Sequence, residues 1–328
     1  MKVGIIGCAH MHVESYIRCM RELDIEITGV YDHNEEGSEG VSNRHGIPKQ
    51  ESLEALFETG CDTVVICSEN KYHCEYTVAA AEHKCHVIVE KPMALSVSEA
   101  DVMIDVTNKN QVKLLVCHPV RFAPTIQELK ATVLSGELGE IYAINASNHG
   151  KVPGGWFVKK ELSGGGAIVD HTIHIADLVY WLFDVEIDSV WAQGLTAVSD
   201  IETEDTGLLH VRFKSGELLS LDTSWNRPGN YPVWGDAMLE IISEKGRTVV
   251  DGFGRKAELF LEGDKANQWV FYETDMDMAM FENFKEVIEL DKPSPVDGNA
   301  GKFTIEMFEM AYQSIEAGER VTRKEVVE

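Results

Sequence analysis

The first third of the chain alternates short apolar runs with stretches whose apolar residues recur at helical spacing. The runs Lys2–Gly7, Glu26–Tyr31, Asp62–Cys67, His86–Glu90 and Val112–Cys117 predict strands. Between them Val13–Leu23, Glu35–Arg44, Ser52–Glu58, Tyr72–His83 and Ser96–Asn108 predict helices. Strands that are apolar on both sides, each followed by a helix, imply a parallel sheet covered on both faces. Short right-handed crossovers then leave a doubly wound, Rossmann-type α/β domain as the topology.

Beyond residue 120 the pattern changes. Pro124–Ser135 and Ala167–Phe183 predict helices, and seven alternating runs follow: Ser189–Ala197, Gly207–Phe213, Glu217–Ser224, Met238–Ser243, Arg247–Val250, Ala257–Leu261 and Trp269–Tyr272. Turn segments such as Lys214-Ser215-Gly216 and Glu244-Lys245-Gly246 join some of them, as in antiparallel hairpins. Helices near Met276–Glu289 and Ala300–Ala317 complete the pattern. We expect two domains: 1–120, a nucleotide-type domain, and 121–328, an α+β domain with a large, mainly antiparallel open sheet.

Composition narrows the function classes. The 328 residues are 44% hydrophobic, enough for ordinary cores, and no run predicts a transmembrane span. A net charge of −26, from 55 acids against 29 bases, argues against nucleic acid as a partner. The seven cysteines form no CxxC pair, which suits a reducing cytoplasm.

Candidate chemistry falls at three places. The first is the turn after the first strand, Gly7-Cys8-Ala9-His10-Met11-His12, a relaxed form of the G-x-G-x-x-G dinucleotide turn. His10 and His12 also raise a metal reading, but the sequence locates no third ligand near them, so no metal is expected. Asp32 ends the second strand where an acid meets the ribose hydroxyls, which favours NAD over NADP. The second place is Glu90-Lys91-Pro92, at the carboxyl end of a strand, where open α/β sheets bind ligands. A lysine there can hold a substrate oxygen and stabilise developing negative charge, although a surface Glu–Lys pair is the simpler reading of these residues alone. The third is Gly164-Gly165-Gly166 opening a helix with Asp170 and His174 one turn apart, with His171 about 100° round from Asp170. A histidine beside a carboxylate can serve as general base, or the pair can be a helix cap with a satisfied core histidine, or a metal site sharing the i, i+4 spacing, for which only two ligands stand at useful spacing.

Together these motifs resemble the Gfo/Idh/MocA oxidoreductases, which include glucose-fructose oxidoreductase and inositol dehydrogenase. The likeness spans essentially the whole chain. It rests on the glycine turn, Asp32, Asn70-x-x-His73, Glu90-Lys91-Pro92, Arg121-Phe122, the glycine run with Asp170-x-x-x-His174, and Asp297-Gly298 before a helix ending Ala311-Tyr312-Gln313-Ser314. Ala9 replaces a common second glycine, and Ser68-Glu69 replaces a threonine-proline pair.

The resemblance implies an NAD(P)-dependent dehydrogenase or reductase of a sugar, cyclitol or related polyol, with Lys91, Asp170 and His174 as the catalytic group. By the family pattern His174 takes the hydroxyl proton, Lys91 holds that oxygen, and Asp170 orients the pair. Gly7, Cys8, Ala9, His10, Met11, His12, Asp32, Ser68, Asn70, His73, Glu90 and Lys91 are expected around the cofactor. Substrate contacts are expected from Arg121, Trp156, Asp170 and His174, with Phe157, His118, Asn148 and Trp225-Asn226-Arg227 as further candidates. An NAD-dependent glycosidase and a catalytically silent NAD-binding sensor are the alternatives. Association as a homodimer or homotetramer through the open sheet face is also expected.

Overall fold

The computed structural model describes residues 1–231, 233–254, 256–259, 268–271 and 275–323. Strands β1 (Lys2–Ile6), β2 (Glu26–Tyr31), β3 (Thr63–Ile66), β4 (His86–Val89) and β5 (Leu114–Val116) form a parallel sheet in the order β2-β1-β3-β4-β5. Helices α1 (Val13–Glu22), α2 (Glu35–His45), α3 (Leu53–Glu58), α4 (His73–Glu82) and α5 (Val97–Asn110) connect them. Every residue of β3 is buried, as a strand covered on both faces requires. Three of these helices begin at a capping side chain: Asn34 accepts from the Glu36 N–H, Ser52 from Ala55 and Ser96 from Glu99.

The strand order reverses at β1, so the crevice between the carboxyl ends of β1 and β3 is the topological switch point where such sheets bind ligands. Gly7 closes β1 there with φ +83°, and a Cβ on it would collide with the backbone of Ser68 just after β3. The turn is pinned on both sides. Gly7 N–H donates to Tyr31 O at 2.7 Å, and His10 N–H donates to Cys67 O at 2.9 Å.

The second sheet draws on residues 141–322. Its strands are β6 (Ile141–Ser147), β7 (Ile187–Leu195), β8 (Thr206–Phe213), β9 (Leu218–Asp222), β10 (Met238–Ser243), β11 (Gly246–Asp251) and, after the β12 (Lys256–Leu259)–β13 (Gln268–Phe271) hairpin, β14 (Val321–Thr322). They run in the order β11-β10-β6-β9-β8-β7-β14 and are antiparallel except for the parallel β6–β9 pair. The predicted runs Ala257–Leu261 and Trp269–Tyr272 correspond to β12 and β13; residues 260, 261 and 272 lie outside the described ones. Helices α6 (Pro124–Leu134), α7 (Lys160–Ser163), α8 (Ala167–Phe183), α9 (Met276–Glu289) and α10 (Gly298–Ala317) complete the fold. In α8, 13 of 17 residues are buried, so it is a core helix, packed against α10 and β8. Helix α10 packs against α8, α5 and β7 and ties the two halves together. Among the described residues no helix is long and apolar enough to cross a membrane.

Candidate active site

A cavity of about 560 Å³ opens where the carboxyl ends of the parallel strands face α8. Lys91 enters it directly after β4, preceded by the buried Glu90 and followed by Pro92 through a cis peptide. Asp170 and His174 enter from the first turns of α8.

Lys91 Nζ donates to Asp170 Oδ1 at 2.7 Å, so the second and third motifs meet across 79 residues of sequence. The other Asp170 oxygen accepts from Trp225 Nε1 at 3.2 Å and lies 3.3 Å from His171 Nε2. Burial works against the Asp170 charge, but Lys91 and then His171 outweigh it and hold the carboxyl far below its usual range. His174 is pushed the other way. Burial first, and the Lys91 charge second, drive its pKa well below the ordinary value, which leaves a neutral imidazole at neutral pH. Its Nδ1 is buried without a partner.

His171 is a correction to the sequence reading, which turned it away from Asp170. It lines the cavity and touches the same carboxylate, because Asp170 sits in the first helical turn and its side chain reaches round toward its neighbour. The glycine run also resolves. Gly166 packs against the Glu204 backbone, and Glu204 Oε1 accepts the N–H groups of Gly166 at 2.9 Å and Ile168 at 3.0 Å. The glycines therefore admit another protein segment, not a ligand. Tyr312 of α10 donates to the same oxygen at 2.8 Å.

Two expected substrate contacts lie elsewhere. Arg121 is 2% exposed and takes no part in the cavity lining. Its guanidinium grips Asp177 of α8 through Nε at 2.6 Å and Nη2 at 2.5 Å, donates to Pro295 O, and sits 5.4 Å over the Trp181 ring. Trp156 donates from Nε1 to Ala9 O at 3.0 Å and stacks on Phe157 with centroids 3.9 Å apart. Trp156 thus clamps the glycine turn, and Phe157 is the ring that lines the cavity.

Among the softer candidates, His118 is buried 3.7 Å from Asp177, Asn148 binds Asp236 O, Asn226 is exposed, and Arg227 pairs with Asp236 at 2.5 Å. Sequence reasoning missed Arg18, Asp275 and Asp277, which line the cavity. Arg18 pairs with Asp275 at 2.6 Å, and Ser15 donates to Asp277 at 2.5 Å. Their signal was hidden because Asp275 reads as the N-cap it also is, for Met278 N–H.

The residues expected around a dinucleotide divide into a lining and a brace. Asp32 is buried at the end of β2, and its oxygens accept from Cys8 N–H at 2.5 Å and Asn34 N–H at 2.8 Å. Met11 is half exposed at the cavity wall, and Ser68 is buried behind Gly7. Asn70 donates to Ser163 O at 2.9 Å, which leaves its Oδ1 buried and unpartnered. His73 lies fully buried between Pro92 O at 2.8 Å and Ser68 O at 3.2 Å, so it braces two loops from below. A glycine turn at positive φ, a terminal carboxylate, and two orphaned buried polar atoms (His10 Nε2 and Asn70 Oδ1) fit a nucleotide cofactor.

The absence of a third group near His10 and His12 is also corrected. Glu90 Oε1 lies 2.7 Å from His12 Nδ1 and 3.8 Å from His10 Nδ1, and it accepts a hydrogen bond from Tyr16 OH. Glu90 is fully buried, and a strand-end glutamate carries no local sequence signal of what it will face.

Comparison with known proteins agrees with this architecture. Residues 1–118 match the oxidoreductase family with an NAD-binding Rossmann fold, and 126–249 match the GFO/IDH/MocA C-terminal domain. The chain is 26% identical to myo-inositol 2-dehydrogenase of Thermotoga maritima, over 100% of both chains. It is 31% identical to D-glucoside 3-dehydrogenase of Escherichia coli K12, over 69% of this chain and 70% of that one. The crystal structure of GenD2 from gentamicin A biosynthesis, in complex with NAD, shares the fold with a TM-score of 0.87 at 20% identity, covering 99% of this chain and 97% of that one. A Rossmann half joined to a mixed sheet, with motifs and matches along both, makes this chain a member of the Gfo/Idh/MocA family of NAD-binding oxidoreductases.

Proposed function

We propose that the protein is an NAD-linked dehydrogenase of a neutral sugar, cyclitol or related polyol, with Lys91, Asp170 and His174 as its catalytic group. The observation that carries this reading is the 2.7 Å contact from Lys91 to Asp170, made in one cavity with a neutral His174. His174 takes the proton of a substrate hydroxyl, Lys91 holds that oxygen as negative charge develops, and Asp170 fixes Lys91 in place. Bound nicotinamide supplies the hydride acceptor or donor. Gly7 to His12, Asp32 and Asn70 would hold it, with NAD favoured because the Asp32 carboxylate repels a 2′-phosphate.

Both cations of the described lining are already paired, Lys91 with Asp170 and Arg18 with Asp275. This favours a hydroxyl-rich neutral substrate over a phosphate ester, which needs a free cation. We further assign 1–120 to cofactor binding and 121–328 to substrate binding and self-association as a homodimer or homotetramer, in a reducing cytoplasm.

A panel of cyclitols, glycosides and sugars with NAD+ and NADP+, followed by reduced-nicotinamide absorbance, tests the reading. Lys91→Ala and His174→Ala should each lower kcat by about 10²–10⁴-fold while NADH affinity holds. Undiminished turnover in both variants refutes the assignment.

A further inference from the structure

We propose that His10, His12 and Glu90 form a binding site for a divalent transition-metal ion of the zinc class, with open coordination positions toward the cavity. The three residues belong to the region that the dehydrogenase reading gives to the cofactor, so the two readings are tested separately. Among the described residues this is the group of three imidazole or carboxylate ligands whose donor atoms all lie within 4.8 Å of one another. Two histidines and a glutamate are a ligand set of open zinc sites, in which the remaining positions take water or substrate oxygen.

The spacing suits a shared ion. Metal–ligand bonds of about 2.0–2.1 Å in a tetrahedron put donor atoms roughly 3.4 Å apart. The Glu90 Oε1 distances of 2.7 Å to His12 Nδ1 and 3.8 Å to His10 Nδ1 bracket that value. Sub-ångström side-chain shifts close the difference.

A further feature points to a ligand: the glutamate is already oriented from outside the set. Tyr16 OH donates to Oε1, and the Lys91 N–H donates to Oε2 at 2.7 Å, the arrangement that fixes ligating carboxylates in metal centres. His10 and His12 both line the cavity, and the His12 side chain is 33% exposed, so an ion here meets solvent or substrate on one side. The sequence places two ligands on the β1–α1 turn and the third at the end of β4. The sheet order, with only β3 between β1 and β4, brings them together.

The test uses the full chain, stripped with a chelator and free of nucleotide and substrate. Titration with Co(II) should give the visible d–d bands of a low-symmetry site, saturating at one ion per chain and displaced by Zn(II). His12→Ala and Glu90→Gln should weaken binding by more than about 100-fold, and Tyr16→Phe, which removes only the outer partner, by about 10-fold or more. His83→Ala, an exposed histidine stacked on Phe57, should bind as the parent does. Far-ultraviolet circular dichroism verifies that each variant is folded, and His10→Ala replaces any that is not. A parent chain with no stoichiometric site, or ligand variants that bind Co(II) like the parent, overturns the proposal. Either result leaves the dehydrogenase reading standing, since turnover is measured separately.

Discussion

Replacing Arg121 with alanine should destabilise the protein severely while leaving substrate recognition intact. The guanidinium and the Asp177 carboxylate are 2% and 1% exposed and share two hydrogen bonds of 2.6 and 2.5 Å. Removing the cation strands Asp177 in the core of α8. His118 lies 3.7 Å away, but burial lowers its pKa, so it is a poor substitute for the guanidinium. Breaking one side of a buried pair costs about 3–5 kcal/mol. At roughly 2 °C per kcal/mol for a chain of this size, the melting temperature should fall by about 6–10 °C. Differential scanning calorimetry reads that shift. The double variant Arg121→Met/Asp177→Leu should recover most of the loss, because a well-packed apolar pair replaces a buried ion pair at little cost. The reasoning fails if Arg121→Ala melts within a degree of the parent, and a raised substrate KM at unchanged melting temperature would restore Arg121 as a substrate contact.

Two further outcomes follow from the cofactor end and the second sheet. Asp32→Ser keeps an oxygen for the Cys8 N–H but removes the charge, so the ratio of kcat/KM for NADP+ over NAD+ should rise by at least about tenfold; an unchanged ratio places the discrimination elsewhere. His149 lies between Asp222 at 3.1 Å and Asp236 at 3.3 Å; burial lowers its proton affinity, but the two carboxylates prevail and raise its pKa to about 9. A pKa raised on folding means that its contribution is fully present below about pH 6.5 and is lost as pH climbs through about 9. Chemical denaturation across that window should show stability falling in the parent and a flatter profile in His149→Gln. Identical slopes would exclude this triad as the source.

How far the sequence discloses this structure depends on how local each signal is. The parallel half is legible because its strands are short, mainly apolar runs that alternate with helical patterns, and the position of Lys91 at a strand end is legible although its partner Asp170 is not. Strand β6 is hidden although it lies inside the second sheet, between β10 and β9. Its small residues Ala143, Ala146 and Ser147 blur the alternation that larger side chains display. β14 and α7 are too short to show a period. The roles of Arg121, Trp156 and His171 depend on partners 56, 147 and 1 positions away, respectively, and only the last distance falls within a helical turn. Even there the ideal helical wheel misleads, because it describes Cβ directions and not the reach of a carboxylate.

Helix α8 has no capping side chain of its own; Gly166 stands at its N-cap position. The cap comes from Glu204, which Tyr312 in turn holds. The order of chain growth therefore matters to the site. A nascent chain completes the dinucleotide crevice early, but the helix presenting Asp170 and His174 gains its starting point only after residue 204 has returned to it. Residue 312 must arrive before that cap is itself held. Long-range closure of this kind is slow compared with local pairing. The placement of Asp170 and His174 thus depends on contacts that the chain closes late, across 38 residues to Glu204 and a further 108 to Tyr312.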